Sequence, residues 1–242
     1  MLFRSVFTVT EAKMNVYQNA RAALELMARE LSSLNNNVVN ANYDGETYAS
    51  GQLTVNAGDA AYSATFGVKD SSLTVLSFVT TTFWTRKSGT NTIRESGSAK
   101  VEYKLKQCAD LRTWKLMRRV MWGTASASNE TLLANYIHIQ HTAQGTPEAT
   151  NKLPGFKIEF FHYDADNDGT KTTYSDDNDA YVGWKKGENT TATAHTFTDD
   201  QTGTPPLVDQ LPSAIRITMD VTDVQKRETR TLARTIWIPS AR

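Results

Sequence analysis

Residues 16–34 read VYQNARAALELMARELSSL, and the apolar residues of this stretch recur at three- and four-residue steps. In an α-helix this spacing brings seven apolar residues to one face: Val16, Ala20, Ala23, Leu24, Met27, Leu31 and Leu34. Arg21, Glu25 and Arg29 stand four residues apart on another side, where they can support one another as ion pairs. Asparagines follow Leu34, and asparagine accepts the left-handed conformation in which helices often end. We predict a long helix from about Ser5 to Leu34, with one face packed on another element.

After this helix the apolar period changes to the two-residue alternation of β-strands. Strands are predicted at residues 73–79, 100–106, 113–122, 136–141, 156–163, 214–221 and 229–238. The second and third form one expected hairpin, and the last two form another. Because almost no crossover helices separate the strands, the sheet is expected to be antiparallel. The predicted fold class is therefore α+β, with a long N-terminal helix packed against antiparallel β-sheet.

Residues 100–106, KVEYKLK, alternate charged and apolar residues strictly, as in a sheet with one face in water. The neighbouring lysines and arginines admit two interpretations, a nucleic-acid patch or a solvated sheet face. The alternation favours the solvated face, and no RNA-binding or helix-turn-helix motif accompanies it. The 26 basic and 26 acidic residues of the chain cancel, so no global field attracts nucleic acid. We expect no nucleic-acid partner.

Two stretches are predicted to be loops, residues 125–130 and residues 164–206. The second is rich in Asp, Asn, Thr and Gly and is too long for an ordinary connection, so it is functional, disordered or organised by a metal. With no repeat or linker in the sequence, we divide the chain into the helix at 1–35 and a β-rich head at 36–242, which together form one domain.

The long loop begins with DADNDG at residues 164–169, which resembles the start of a calcium-binding loop. The twelfth position is Ser175 rather than glutamate, so the motif is not a complete EF-hand. Further aspartates follow shortly after this motif in the sequence and could supply the missing carboxylates. The candidate calcium ligands are Asp164, Asp166, Asp168, Asp176, Asp177 and Asp179. The alternative is a polar turn built from Asp and Asn, and the sequence leaves both open.

Catalysis has no support from any local motif. The chain contains no GxSxG, HExxH, phosphate loop or GxGxxG, and its four histidines are scattered. The single cysteine, Cys108, excludes an intramolecular disulfide. We therefore expect a protein that is not an enzyme.

Four stretches, in order, resemble one family of bacterial envelope proteins. Residues 17–31, YQNARAALELMAREL, are similar to the distal part of the N-terminal helix in PilW-type minor pilins and GspJ-type pseudopilins. Three later stretches resemble the strand pattern of the same family: VEYKL at 101–105 leading to LMRR at 116–119, FFHYD at 160–164, and LPSAIRI at 211–217.

This resemblance implies a pseudopilin-like fold and a subunit that joins other minor pilins or pseudopilins in a tip complex. Such complexes prime assembly of a type IV pilus or of the pseudopilus of a type II secretion system. The implied location is the bacterial inner membrane and periplasm, or the tip of a cell-surface filament. On the helix, the expected contacts with partners are Val6, Val9, Met14 and Tyr17.

The sequence departs from the family at its start, because no prepilin leader and no apolar helix half precede Met1. Truncation explains this best, since Met1 falls where the soluble half of such a helix begins; a misplaced start and a protein outside the family are the alternatives. Contact with the inner membrane is expected through the missing half. A different function, a calcium-dependent extracellular binding or adhesion module, would make the acidic loop the working part. An envelope hydrolase with a dispersed site is a weaker third hypothesis.

Overall fold

The fold is described from a computed structural model. The residues that it describes are 2–34, 41–43, 46–48, 53–55, 72–88, 90–108, 113–123, 128–138, 155–163, 184–188, 195–197, 211–223 and 228–238. For residues 2–10, 41–43, 46–48, 87–88, 160, 162–163, 184–188 and 195–197 the backbone alone is described.

The helix α1 spans Leu2–Ser32, close to the predicted bounds. Its apolar stripe is confirmed as a core face, because all seven stripe residues are buried: Val16, Ala20, Ala23, Leu24, Met27, Leu31 and Leu34. Arg21, Glu25 and Arg29 are exposed, as predicted. Among the described residues, no helix has the length and apolarity needed to cross a membrane.

The strands that follow α1 are β1 (Ala41–Tyr43), β2 (Glu46–Tyr48), β3 (Leu53–Val55), β4 (Ser72–Ser88), β5 (Asn91–Gln107), β6 (Thr113–Met121), β7 (Ser128–His138), β8 (Phe156–Tyr163), β9 (Trp184–Glu188), β10 (His195–Phe197), β11 (Ala214–Thr222) and β12 (Thr229–Trp237). β1 and β2 pair as a separate ribbon. The other ten strands form one sheet in the order β10-β3-β4-β5-β6-β7-β11-β8-β9, with β12 added on β11. All described pairings are antiparallel, and the predicted β5–β6 and β11–β12 hairpins are confirmed.

The predicted fold class is wrong. The described residues are mostly antiparallel β-sheet with a single helix, rather than the pseudopilin-like α+β arrangement that was expected. The apolar alternation underestimated the sheet because long parts of it are polar. β4 was predicted at residues 73–79 and continues to Ser88 through a run of threonines, while β5 begins at Asn91, before its alternation starts. β7 likewise begins at Ser128, inside a predicted loop.

The core lies where α1 packs on the sheet. Its largest fully buried side chains include Trp114, Tyr103, Phe78 and Phe156. The rings of Phe78 and Tyr103 stack, with their centroids 6.2 Å apart. Burial of this many large apolar side chains is the main source of stability, at roughly 1.5–3 kcal/mol for each one removed from water.

The prediction that the charged face of residues 100–106 is exposed to water is also wrong. Lys100 is only 4% exposed and Glu102 only 8% exposed. Their charges are paired with each other and with Lys104. Oε1 of Glu102 lies 3.1 Å from Nζ of Lys100, and Oε2 of Glu102 lies 3.0 Å from Nζ of Lys104. Alternation therefore identified the two faces correctly but not the burial of the charged one.

Candidate interaction surface

A groove of about 420 Å³ lies between α1 and the N-terminal part of β12. We call it the α1–β12 groove. The helix contributes side chains on the flank of its buried stripe: Lys13, Met14, Tyr17, Gln18 and Arg21. The opposite wall consists of Glu228, Arg230 and Leu232, which stand two residues apart and so share one side of the strand.

Lys13, which lines the groove, contacts two acidic residues. Its Nζ lies 3.1 Å from Oδ2 of the fully buried Asp223 and 3.7 Å from Oε2 of Glu228. The hydrogen bond to Asp223 is the main reason that the pKa of Lys13 is raised. Lys13 is thereby held protonated, and it ties the helix to Asp223, which follows β11, and to Glu228, which precedes β12.

Arg230 connects the two walls. Its Nε donates to Oε1 of Glu228 at 2.7 Å, and this hydrogen bond is the main cause of the lowered pKa of Glu228. The guanidinium also lies over the Tyr17 ring, 4.7 Å from its centroid, in a cation–π contact. Because Arg230 and Glu228 are both largely exposed, we expect their ion pair to contribute little to stability.

The hydroxyl of Tyr17 is buried and has no hydrogen-bond partner among the described residues. Burial raises the pKa of this phenol, so it stays neutral at physiological pH and keeps its proton to donate. A buried donor without an acceptor costs about 1–3 kcal/mol of stability. A ligand that supplies an acceptor here would recover part of that cost.

Arg21, also in the groove, is exposed and makes no ion pair within the described part of the chain. The nearby Arg234 differs, because its Nη2 lies 3.2 Å from Oε2 of Glu25 on the next turn of α1. The groove therefore carries one positive charge that is not compensated locally.

The groove borders an edge of the sheet. Among the described strands, β12 pairs with β11 alone, in a regular register from Ala214↔Trp237 to Thr222↔Thr229. Most of its side chains are exposed, and Trp237 is 59% exposed. An edge strand presents backbone donors and acceptors to any segment that lies alongside it.

α1 is held against the sheet by a buried polar cluster that the sequence analysis missed. The carboxylate of Glu30, which is 2% exposed, accepts hydrogen bonds from Tyr103 and Thr82 and forms an ion pair with Arg118. Nε of Arg118 lies 3.1 Å from both carboxylate oxygens. We call these four residues the Glu30 cluster.

The Glu30 cluster joins three strands to the end of the helix. Thr82 lies on β4, Tyr103 on β5 and Arg118 on β6. Burial and the neighbouring Glu30 carboxylate raise the pKa of Tyr103 well above 10, so it remains a donor. The position of Glu30 between Met27 and Leu34 on the apolar face was a signal that this acid is buried.

The expected partner contacts are only partly within the described side chains. Met14 and Tyr17 both line the α1–β12 groove, where Met14 is 53% exposed. Val6 and Val9 lie in α1, but their side chains are outside the described set. The structure therefore brings two of the four residues onto one surface.

The candidate calcium ligands all lie outside the described residues: Asp164, Asp166, Asp168, Asp176, Asp177 and Asp179. Within the described ranges, no group of three or more His, Cys, Asp or Glu side chains is arranged to hold a metal. The calcium site stays a prediction from the sequence.

Comparison with protein-family models, with curated proteins and with solved structures finds no match to this chain. The resemblance to minor pilins and pseudopilins therefore rests on the quoted residues alone.

Proposed function

We propose that this protein is a non-enzymatic assembly subunit, a minor pilin or pseudopilin that joins a tip complex and primes a type IV pilus or a type II secretion pseudopilus. The observation that carries the proposal is the α1–β12 groove. It combines Met14 and Tyr17, two residues expected at a subunit contact, with an edge strand on one open surface.

The attachment of α1 supports this role. Two contacts fix the helix to the sheet, the Lys13–Asp223 ion pair and the Glu30 cluster. Lys13 and Glu30 lie 17 residues apart along the helix. A helix held at both points presents its groove side chains in one orientation. Preorganised surfaces bind partners with less loss of conformational entropy.

Deletion of the gene in the bacterium that encodes it tests the function. We expect loss of surface filaments or of type II-secreted proteins, measured by electron microscopy and by analysis of the culture medium. Reintroducing the wild-type gene is expected to restore the phenotype, and Met14→Glu is expected to restore it poorly.

Ala22→Glu is the matched control, since Ala22 is exposed on α1 but does not line the groove. It is expected to complement like the wild type. A deletion strain with normal filaments and normal secretion would refute the proposed function.

A further inference from the structure

We propose that the α1–β12 groove binds an acidic, extended segment of another protein, which adds to the sheet alongside β12. That the other protein is another subunit of the tip complex rests on the proposed function; that the bound segment is acidic and extended rests on the groove itself. Three features of the described residues support it: the strand edge, the charge of the groove and the Tyr17 hydroxyl.

The strand edge favours an extended ligand. β12 is nine residues long and pairs with β11 without a bulge. Natural edge strands that must stay unpaired are usually short, bulged, interrupted by proline or charged; β12 is regular and lacks proline, but it carries Arg230 and Arg234, so a strand that pairs with it must be compatible with these two charges. A segment beside β12 would form main-chain hydrogen bonds, and every second side chain would lie on the groove side.

The charges on the groove side favour carboxylates on that segment. Arg230 and Arg234 lie on the side of β12 that faces α1, as their contacts with Tyr17 and Glu25 show. Both already pair with acids of this chain, Arg230 with Glu228 and Arg234 with Glu25, whereas Arg21 on the helix makes no ion pair among the described residues and is the free positive charge of the groove. Opposite charges on neighbouring strands stabilise their pairing, whereas like charges destabilise it.

These arginines also exclude a second copy of β12 as the favoured occupant. Antiparallel pairing of β12 with itself would bring Arg230 and Arg234 of both copies onto one side of a two-stranded edge. An acidic strand meets the same guanidinium groups without this repulsion.

Tyr17 supplies the third feature. Its neutral hydroxyl is a buried donor without a partner among the described residues, and it lies in the same groove as Arg21. A carboxylate that satisfied this donor would form a charge-assisted hydrogen bond, which is stronger than a hydrogen bond between neutral groups.

A synthetic peptide that alternates glutamate with valine is the probe. Two control peptides accompany it, one with lysine in place of glutamate and one with a central proline that prevents strand pairing. Binding to the full chain is followed by amide chemical shifts. We expect the glutamate peptide to shift resonances of Tyr17, Arg21 and β12, and the controls to leave them unchanged.

Arg21→Glu is expected to weaken binding of the glutamate peptide by about tenfold or more, because it replaces a favourable charge contact with a repulsive one. Arg29→Glu is the matched control, since Arg29 is an exposed arginine of α1 outside the groove. Both variants should melt like the wild type, because both positions are exposed.

Equal binding of the glutamate and lysine peptides would overturn the inference, as would equal loss in the two arginine variants. Binding of vesicles rich in anionic lipid without binding of the peptide would also overturn it. Peptide binding combined with a silent gene deletion would retain the binding site and reject the proposed function. Absence of peptide binding, combined with loss of filaments or secretion in the deletion strain, would reject the binding site and retain the proposed function.

Discussion

Glu30 is an acid on the apolar face of a helix, and its carboxylate contacts Thr82, Tyr103 and Arg118. Glu30→Gln keeps the shape of the side chain but leaves Arg118, whose side chain is 11% exposed, without its counter-charge. Breaking a buried ion pair from one side costs about 3–5 kcal/mol. We expect a loss of about this size in the free energy of unfolding, measured by urea denaturation.

Glu25→Gln is the control, because Glu25 pairs with Arg234 at the surface and its loss should cost less than about 1 kcal/mol. The double variant Glu30→Gln with Arg118→Met is expected to be more stable than Glu30→Gln alone, since it removes the unpaired charge. Equal stability of the two single glutamine variants would show that the Glu30 cluster does not anchor the helix.

Tyr103 should make the stability depend on pH above 10. Its pKa is raised in the folded protein, chiefly by burial and then by Glu30, whereas in the unfolded chain it titrates near 10. Above that pH the unfolded state loses a proton that the folded state retains. The free energy of unfolding therefore falls as pH rises, by up to about 1.4 kcal/mol per pH unit for this group.

Urea midpoints of the wild type and of Tyr103→Phe, measured between pH 9 and pH 11, test this expectation. Tyr103→Phe should be less stable at neutral pH, because it loses the hydrogen bond to Glu30, but should show a shallower decline in alkali. Parallel profiles for the two proteins would mean that Tyr103 ionises in the fold as readily as in the unfolded chain.

At the scale of elements, Gly155 marks the junction of three strands. Its amide donates to the carbonyl oxygen of His138 on β7 at 2.9 Å, and its own carbonyl accepts from Asp220 on β11. A Cβ atom at this position would lie 2.2 Å from the His138 oxygen, a contact that only a backbone shift relieves. We expect Gly155→Ala to lower the free energy of unfolding by more than about 2 kcal/mol.

Gly97→Ala provides the comparison on β5. There the added Cβ would meet the ring of Trp84 at 3.1 Å, and a side chain can move more easily than a strand. Its cost should be less than about 1 kcal/mol, read from the same thermal or urea curves. Similar costs at the two glycines would argue against a tight junction of β7, β8 and β11.

The elements also show what could be predicted from the sequence. The stripe through Met27 and Leu31 was predicted because only a helix brings that spacing to one face, and both residues are fully buried. The first half of β5 was missed because NTIRESGSA offers little apolar alternation, and its strand conformation comes from pairing with β4. Local pattern cannot show pairing between distant backbones.

The candidate surface was predictable in part for the same reason. Met14 and Tyr17 were expected at a partner contact because the resemblance to minor pilins and pseudopilins implies that this helix meets other subunits. Arg230 and Leu232 were not, because they come from near the other end of the chain and meet α1 only after the sheet has formed. The Glu30 cluster likewise joins Glu30 to Tyr103 and Arg118 across long sequence separations.

At the scale of the whole molecule, the charges balance overall but are unevenly distributed along the sequence. The 26 acidic residues include six aspartates between positions 164 and 179, with Lys171 as the only basic residue there. Close carboxylates repel one another unless a cation compensates them. We therefore expect the chain to bind one calcium ion through Asp164, Asp166 and Asp168, with a further ligand from Asp176, Asp177 or Asp179.

Calcium should raise the melting temperature, because a ligand that binds the folded chain better than the unfolded chain stabilises the fold. Asp166→Asn should lose most of this increase while melting like the wild type without calcium. Magnesium should substitute poorly, since it prefers a smaller octahedral shell and gives up its waters reluctantly. A melting curve that millimolar calcium leaves unchanged would favour the polar turn, in which Asp and Asn serve only as turn-forming residues.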